Sequence, residues 1–135
     1  MDNSVKEFNW QVRVYYEDTD AGGVVYHARY LAFYERARTE MLRQIGISQD
    51  QLLKQNIAFV VKHMDINYIS AARLDDLLTV KCEIVSVKKA SIMFKQTLIN
   101  QDNKMVGQAN VLIACVNMLK MKPIALPEMI TMEFM

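Results

Sequence analysis

The segment from Arg13 to Tyr34 contains the residue types in this chain that are best suited to chemistry. It places two carboxylates, Asp18 and Asp20, at the end of an alternating stretch, followed by a Gly-Gly pair and then by His27. The amphipathic pattern that comes next predicts a helix, and a helix N-terminus offers backbone N–H groups and a positive dipole that favour negative charge. We therefore expect a site where a carboxylate lies beside an anion-stabilising helix start.

A strand, a turn and a helix must position these side chains. Val12, Val14 and Tyr16 alternate with other residues at the period of a half-buried strand, so we expect Tyr16 on the strand's apolar side. Residues 21–23 then break the strand, because glycine favours turns. From Ala28 the spacing becomes helical, and Gly46 is a typical C-terminal stop. The residues at helical spacing are Leu31, Tyr34, Arg38, Met41, Leu42 and Ile45.

One short helix and four strands are predicted for the rest of the chain. Ser48 is a suitable N-cap for a helix that reaches about Lys54. Strand patterns follow at about 57–68, 78–84, 92–98 and 105–118, with Pro123 and Pro127 in a tail. Short connections favour antiparallel pairing, and one long helix is available to cover a face of the sheet. The predicted fold class is α+β, in a single domain over residues 1–135.

Composition excludes several classes of protein. The chain has 135 residues, 52% of them apolar, which predicts a packed domain. Its net charge is only +1 and its basic residues are scattered along the sequence, which argues against nucleic-acid binding. Cys82 and Cys115 lie in apolar stretches without metal-ligand spacing, so we expect buried free thiols in a reducing compartment. Residues 1–4 lack a signal-peptide pattern, and the apolar runs are too short to span a membrane. These observations favour a cytoplasmic protein.

One motif carries a family resemblance. Residues 17–30 read Glu-Asp-Thr-Asp-Ala-Gly-Gly-Val-Val-Tyr-His-Ala-Arg-Tyr, and this run resembles the hotdog-fold acyl-CoA thioesterases of the 4-hydroxybenzoyl-CoA type. The likeness continues through 59–61 and 72–76 to 120–123, and it is closest to the bacterial members associated with the Tol–Pal cell-envelope system. It implies a five-stranded antiparallel sheet wrapped around one long helix, with protomers joined edge to edge as a homodimer or a dimer of dimers. It also implies active sites at the protomer interface and hydrolysis of acyl-CoA, or of acyl carrier protein thioesters, without a metal or cofactor.

The resemblance implies a role for each motif residue. Asp20 matches the family's catalytic carboxylate, although an aspartate before Gly-Gly also commonly hydrogen bonds its own turn. His27 and Tyr16 match active-site positions of the subfamily, whereas we interpret Asp18 as structural, with a proton shared between the two acids as the alternative. An ordinary aspartate is a weak base at neutral pH, so two routes stay open for Asp20, nucleophilic attack on the thioester and activation of water.

Negative charge on the thioester oxygen requires hydrogen-bond donors on either route. We expect them near the helix start, from the backbone of Gly23, Tyr26 and His27. Cationic side chains are candidates for binding the phosphates of coenzyme A: Arg73, Lys88, Lys89, Lys120 and Lys122. The alternative function is a non-catalytic or dual-role hotdog module that binds acyl carrier protein or phospholipid-synthesis enzymes.

Overall fold

One long helix lies against a curled antiparallel sheet in the computed structural model, which describes residues 7–135. The strands are β1 Glu7–Arg13, β2 Ile57–Tyr68, β3 Leu77–Val87, β4 Ser91–Ile99, β5 Met105–Asn117 and β6 Lys122–Pro123. The helices are α1 His27–Gln44, α2 Gln49–Lys54 and α3 Glu128–Phe134. The strands follow the order β1-β3-β4-β5-β2, with the short β6 paired to β5. The long helix contacts β1, β3, β4 and β5, which confirms the α+β class and the hotdog arrangement.

Helix α1 begins and ends where the sequence predicts. Its buried face comprises Tyr30, Phe33, Tyr34, Ala37, Arg38, Met41 and Leu42. Leu31, which the spacing placed on this face, is instead 41% exposed, because Tyr30 occupies the core position one residue earlier. Gly46 adopts a φ of +95° after the helix, a conformation that favours glycine. Ser48 caps α2 by accepting a hydrogen bond from the Gln51 amide, as expected.

Strand β2 does not pair with the strand that follows it in sequence. It pairs with β5 and forms one edge of the sheet, while β1 forms the other edge. The connection at 69–76 therefore crosses the end of the sheet, where it meets the loop that precedes α1 through a bridge between Val24 and Arg73. The topology thus brings two loops together beside the start of α1.

Two sequence predictions are wrong, one at the end of β1 and one in the tail after β5. Strand β1 stops at Arg13, and Tyr16 lies in a 3-10 turn at Tyr16–Asp18 with 83% of its surface exposed, rather than on an apolar strand face. The predicted tail contains β6 and α3, and α3 buries Ile130 and Phe134 in the core. Both features depend on tertiary contacts rather than on local periodicity.

Cys82 and Cys115 are free and buried, as predicted. No helix within residues 7–135 is long and apolar enough to cross a membrane. In the same range, no three His, Cys, Asp or Glu side chains are grouped so that they could hold a metal ion. The signal-peptide expectation concerns residues 1–4, which lie outside the described residues.

Candidate active site

The loop between β1 and α1 forms a small hairpin with Asp20 near its tip. Thr19 bridges to Val25, the Asp20 amide donates to the Val24 carbonyl (2.9 Å), and the Gly23 amide donates to the Asp20 carbonyl (3.1 Å). Gly23 has a φ of +79°, which most side chains avoid. The Asp20 carboxylate accepts the Gly22 amide through Oδ1 at 2.8 Å, while Oδ2 has no protein donor among the described residues. Asp20 is therefore held by the turn but keeps one carboxylate oxygen free.

Asp18 is buried and joins this loop to the helix. Its Oδ2 accepts the Tyr15 amide (2.8 Å), and its Oδ1 lies 2.9 Å from Arg29 Nε and 2.7 Å from Arg29 Nη2. The Asp18 carbonyl also accepts the Tyr26 amide at 2.9 Å. These contacts match the structural role expected for Asp18, because its oxygens are occupied by protein donors.

Asp20 lines an open surface depression of about 410 Å³. Tyr16 and Gly23 line the same depression, together with Leu74 from the connection between β2 and β3. The side chain of Asp20 is exposed, so a substrate can reach its carboxylate. Two of the three candidate catalytic residues, Tyr16 and Asp20, therefore share one surface, whereas His27 does not line it.

His27 is the first residue of α1, and its ring packs among aromatic side chains. The ring centroids of His27 and Tyr26 are 4.5 Å apart, and those of His27 and Tyr68 are 6.3 Å apart with the rings nearly perpendicular. The Tyr68 hydroxyl donates to the His27 carbonyl at 3.1 Å. Sequence reasoning did not identify Tyr68, because a tyrosine at the end of an apolar strand gives no signal of such a contact.

Tyr30, in the first turns of α1, contacts both the connection at 69–76 and Tyr68. Its hydroxyl accepts the Ala72 amide at 3.2 Å, and its ring contacts that of Tyr68 edge-on with centroids 5.0 Å apart. Burial raises the pKa of Tyr30, so its hydroxyl stays protonated at neutral pH. The connection at 69–76 is thereby fixed against the helix.

The expected oxyanion donors are only partly available. The Gly23 and Tyr26 amides already donate within the hairpin, to the carbonyls of Asp20 and Asp18. The amides of His27 and Ala28 have no acceptor in the part of the chain that the structure describes, because they belong to the first turn of α1. A partial negative charge is therefore best accommodated by His27 and Ala28, and the structure leaves Gly23 and Tyr26 no free amide for this purpose.

The five cationic candidates for binding coenzyme A do not form one cluster. Arg73 pairs with Val24 beside the Asp20 hairpin. Lys88 and Lys89 lie in the turn after β3, Lys120 lies in the turn before β6, and Lys122 is the first residue of β6, which pairs with the last residues of β5. The lysines therefore lie at the end of the sheet where β5 finishes, whereas Arg73 and Asp20 lie at the end where β5 begins. Most of the length of β5 separates the two groups, which is about 30 Å at the rise of a strand. Within one chain, the lysines are therefore remote from Arg73 and Asp20.

Comparison with known proteins identifies the family. A model of the thioesterase superfamily matches residues 22–106. The acyl-CoA thioester hydrolase YbgC of Escherichia coli O157:H7 is 56% identical over 127 residues, which cover 94% of this chain and 95% of that protein. The acyl-CoA thioesterase YbgC of Haemophilus influenzae is 55% identical over 128 residues, with 94% and 93% covered. The crystal structure of a probable thioesterase from Bartonella henselae has a TM-score of 0.83 at 41% identity and covers 90% of this chain and 99% of that one. This chain therefore belongs to the thioesterase superfamily.

Proposed function

We propose that the protein is an acyl-CoA thioesterase that hydrolyses its substrate to a free acid and coenzyme A, with Asp20 as the catalytic carboxylate. One observation carries the proposal: Asp20 presents in an open depression a carboxylate oxygen that has no donor among residues 7–135, on the hairpin that leads into the α1 amides that lack an acceptor in the same range. Relatives named as acyl-CoA thioesterases, aligned over 94% of the chain, support the substrate class.

Two chemical routes are compatible with this arrangement. Asp20 Oδ2 can attack the thioester carbon, expel the thiolate and form a mixed anhydride, which water then cleaves to the acid and the free carboxylate. Alternatively, Asp20 takes a proton from a water molecule that attacks the carbonyl carbon itself. In both routes the carbonyl oxygen becomes negative, and the His27 and Ala28 amides are the proposed donors. Loss of one such donor typically raises a barrier by about 3 to 4 kcal/mol.

His27 and Tyr16 are proposed to assist at the edges of the site. The His27 ring has no hydrogen-bond partner among residues 7–135, so it is free to donate to the thioester carbonyl or to protonate the leaving thiolate. The exposed Tyr16 ring lies at the depression that contains Asp20 and is available to contact the substrate there. Neither residue replaces the carboxylate in the proposed chemistry.

We propose that a second copy of the chain completes the site. Strand β2 has 12 residues, its outer edge pairs with no other strand among residues 7–135, and its last residue, Tyr68, contacts the start of α1. An exposed edge strand is a template for pairing with another chain. Antiparallel pairing of two β2 strands would place the lysine-rich end of one copy beside the Asp20 and Arg73 end of the other. This supports a role for both groups of cations in binding coenzyme A, in a homodimer or a dimer of dimers.

Release of free thiol from defined thioesters tests the proposed function. We expect the protein to hydrolyse short-chain or long-chain acyl-CoA, and we propose a cytoplasmic location because both cysteines are free thiols. Acyl carrier protein thioesters and acyl-pantetheine are the comparison substrates. Acyl-pantetheine lacks the nucleotide phosphates of coenzyme A, so it tests whether those phosphates contribute to binding. Binding of acyl carrier protein without hydrolysis of any thioester would contradict the proposal and favour the non-catalytic module.

A further inference from the structure

The connection at 69–76 forms one side of the depression that contains Asp20. Its Leu74 side chain lines the depression, and its Arg73 bridges to Val24 in the Asp20 hairpin. The position of the Leu74 wall relative to the Asp20 carboxylate therefore depends on how this connection is folded. Catalytic groups must be held within about 0.5 Å of their productive geometry, so the contacts that fix the connection bear on the reaction.

Asp76 closes the turn that contains Arg73 and Leu74. Its Oδ2 accepts the Arg73 amide at 2.9 Å, and its own amide donates to the Arg73 carbonyl at 3.1 Å. Within this turn Asp75 has a φ of +70°, so the backbone reverses sharply. The Asp76 carbonyl also accepts the amide of Val14, the residue after β1, at 2.9 Å. Asp76 thus fixes the shape of the turn and its attachment to the end of β1.

Gln101 holds the second oxygen of the Asp76 carboxylate. It lies in the turn between β4 and β5, where its Nε2 donates to Asp76 Oδ1 at 3.1 Å and its Oε1 accepts the Leu77 amide at 3.0 Å. The Asn100 side chain closes that turn by accepting two backbone amides at 3.0 Å each. Asp76 directly precedes β3 and Gln101 follows β4, so their contact lies away from the β2 edge. Both oxygens of Asp76 are thus occupied, by donors from two different loops.

The contact between Asp76 and Gln101 carries little of the global stability. Gln101 is exposed and Asp76 is only partly buried, so water can replace hydrogen bonds that they lose. The core side of the connection is held independently, because the buried Ala72 donates its amide to the Tyr30 hydroxyl at 3.2 Å. Loss of the contact should therefore displace residues 73–76 locally while the rest of the fold persists.

We propose that Asp76 is a positioning residue for the reaction at Asp20 and that Gln101 keeps its carboxylate in place. The inference rests on the proposed thioesterase function. The turn that Asp76 closes sets the Leu74 wall against which the thioester approaches Asp20. Asp76 acts through this turn and does not touch the substrate, since neither Asp76 nor Gln101 lines the depression.

Reciprocal substitutions test the proposal. Asp76→Asn replaces one carboxylate oxygen by an NH2 group, which then faces a donor, either the Gln101 side-chain amide or the Arg73 N–H. Gln101→Glu instead places two carboxylates in contact. In the double variant the introduced asparagine can donate to the introduced glutamate, which still accepts the Leu77 amide. The double variant therefore restores both the hydrogen-bond pattern and the net charge of the wild type.

We expect kcat for acyl-CoA hydrolysis to fall about tenfold or more in each single variant, with a smaller change in KM, because the reacting groups are misplaced. In the double variant kcat should return to within about threefold of the wild-type value. The matched control is Asp75→Asn, which should leave kcat unchanged. Asp75 is exposed, only its backbone forms hydrogen bonds among residues 7–135, and asparagine tolerates its positive φ.

Urea unfolding of the same variants separates positioning from stability. Single variants that lose stability but keep the wild-type kcat when folded would overturn the proposal, as would a double variant as slow as the single ones. Gln101→Glu changes an exposed turn residue, so it keeps the test valid if Asp76→Asn fails to fold. An active wild type that is inactivated by Asp20→Asn but unaffected by Asp76→Asn would refute only the positioning role. A wild type that releases no thiol would refute the function on which that role rests.

Discussion

Replacement of Arg29 by methionine is expected to destabilise the hairpin that presents Asp20. Arg29 neutralises the Asp18 carboxylate, whose side chain is only 5% exposed, through contacts of 2.9 and 2.7 Å. Methionine preserves much of the volume and the helix propensity of arginine but removes its charge. The substitution therefore leaves a buried carboxylate whose single remaining donor among residues 7–135 is the Tyr15 amide.

The expected loss of stability follows from the burial of Asp18 and Arg29. Removal of one partner from a fully buried ion pair costs about 3 to 5 kcal/mol. The Arg29 side chain is 31% exposed, so water can partly solvate the orphaned Asp18, and we expect a loss of about 2 to 3 kcal/mol. In the double variant Asp18→Asn/Arg29→Met no charge is left uncompensated, so it should be more stable than Arg29→Met alone.

Urea unfolding at one fixed protein concentration measures these free energies. The matched control is Arg43→Met, which removes an arginine from an exposed pair with Glu40 at 3.3 Å on the same helix. We expect that control to lose no more than about 0.5 kcal/mol. Equal losses for Arg29→Met and Arg43→Met, or a double variant less stable than Arg29→Met, would refute the reasoning.

Three further predictions concern the helix start and the buried polar groups. His27→Ala should lower kcat/KM for acyl-CoA hydrolysis by about ten- to a thousand-fold, and unchanged kinetics would limit His27 to a structural role. Burial raises the pKa of the Cys82 thiol from 9.0 to about 11, so the unfolded chain loses this proton first as the pH rises. The free energy of unfolding should therefore fall between pH 9 and about 11, and an equally steep fall in Cys82→Ala would contradict this cause. Tyr34→Phe removes a buried hydroxyl that lacks a partner among the described residues, so it should be neutral or stabilise by up to about 1 kcal/mol; a clear loss of stability in urea unfolding would contradict it.

The helices α1 and α2 and the long strands could be predicted because their signals are local. Periodicity of 3.6 or 2 residues and the residues at the helix ends are present in the sequence itself. The end of β1 was placed too late, because the turn at Asp18 depends on Arg29, eleven residues further on. Helix α3 was missed because its seven residues are anchored to the core by only Ile130 and Phe134, which is too short a pattern to recognise.

The candidate site was predictable only where its residues are neighbours in sequence. Tyr16, Asp20 and Gly23 share a depression because one hairpin contains all three. The occupied amide of Tyr26 depends on a hydrogen bond to Asp18 that no spacing reveals. Arg38 could be recognised in the sequence as a charged residue at helical spacing with apolar ones. The cavity beside it could not be predicted, because it forms where β2 pairs with β5 rather than with β3.

Comparison of kcat/KM for acyl-CoA between the wild-type protein and Asp20→Asn tests the central claim most directly. Asparagine keeps a side-chain oxygen that can accept the Gly22 amide, so the hairpin should persist while the carboxylate is lost. We predict a fall of about a hundred- to ten-thousand-fold, with no change in Asp102→Asn, an exposed turn aspartate that serves as the matched control. A folded Asp20→Asn protein whose kcat/KM stays within about threefold of the wild-type value would contradict the account.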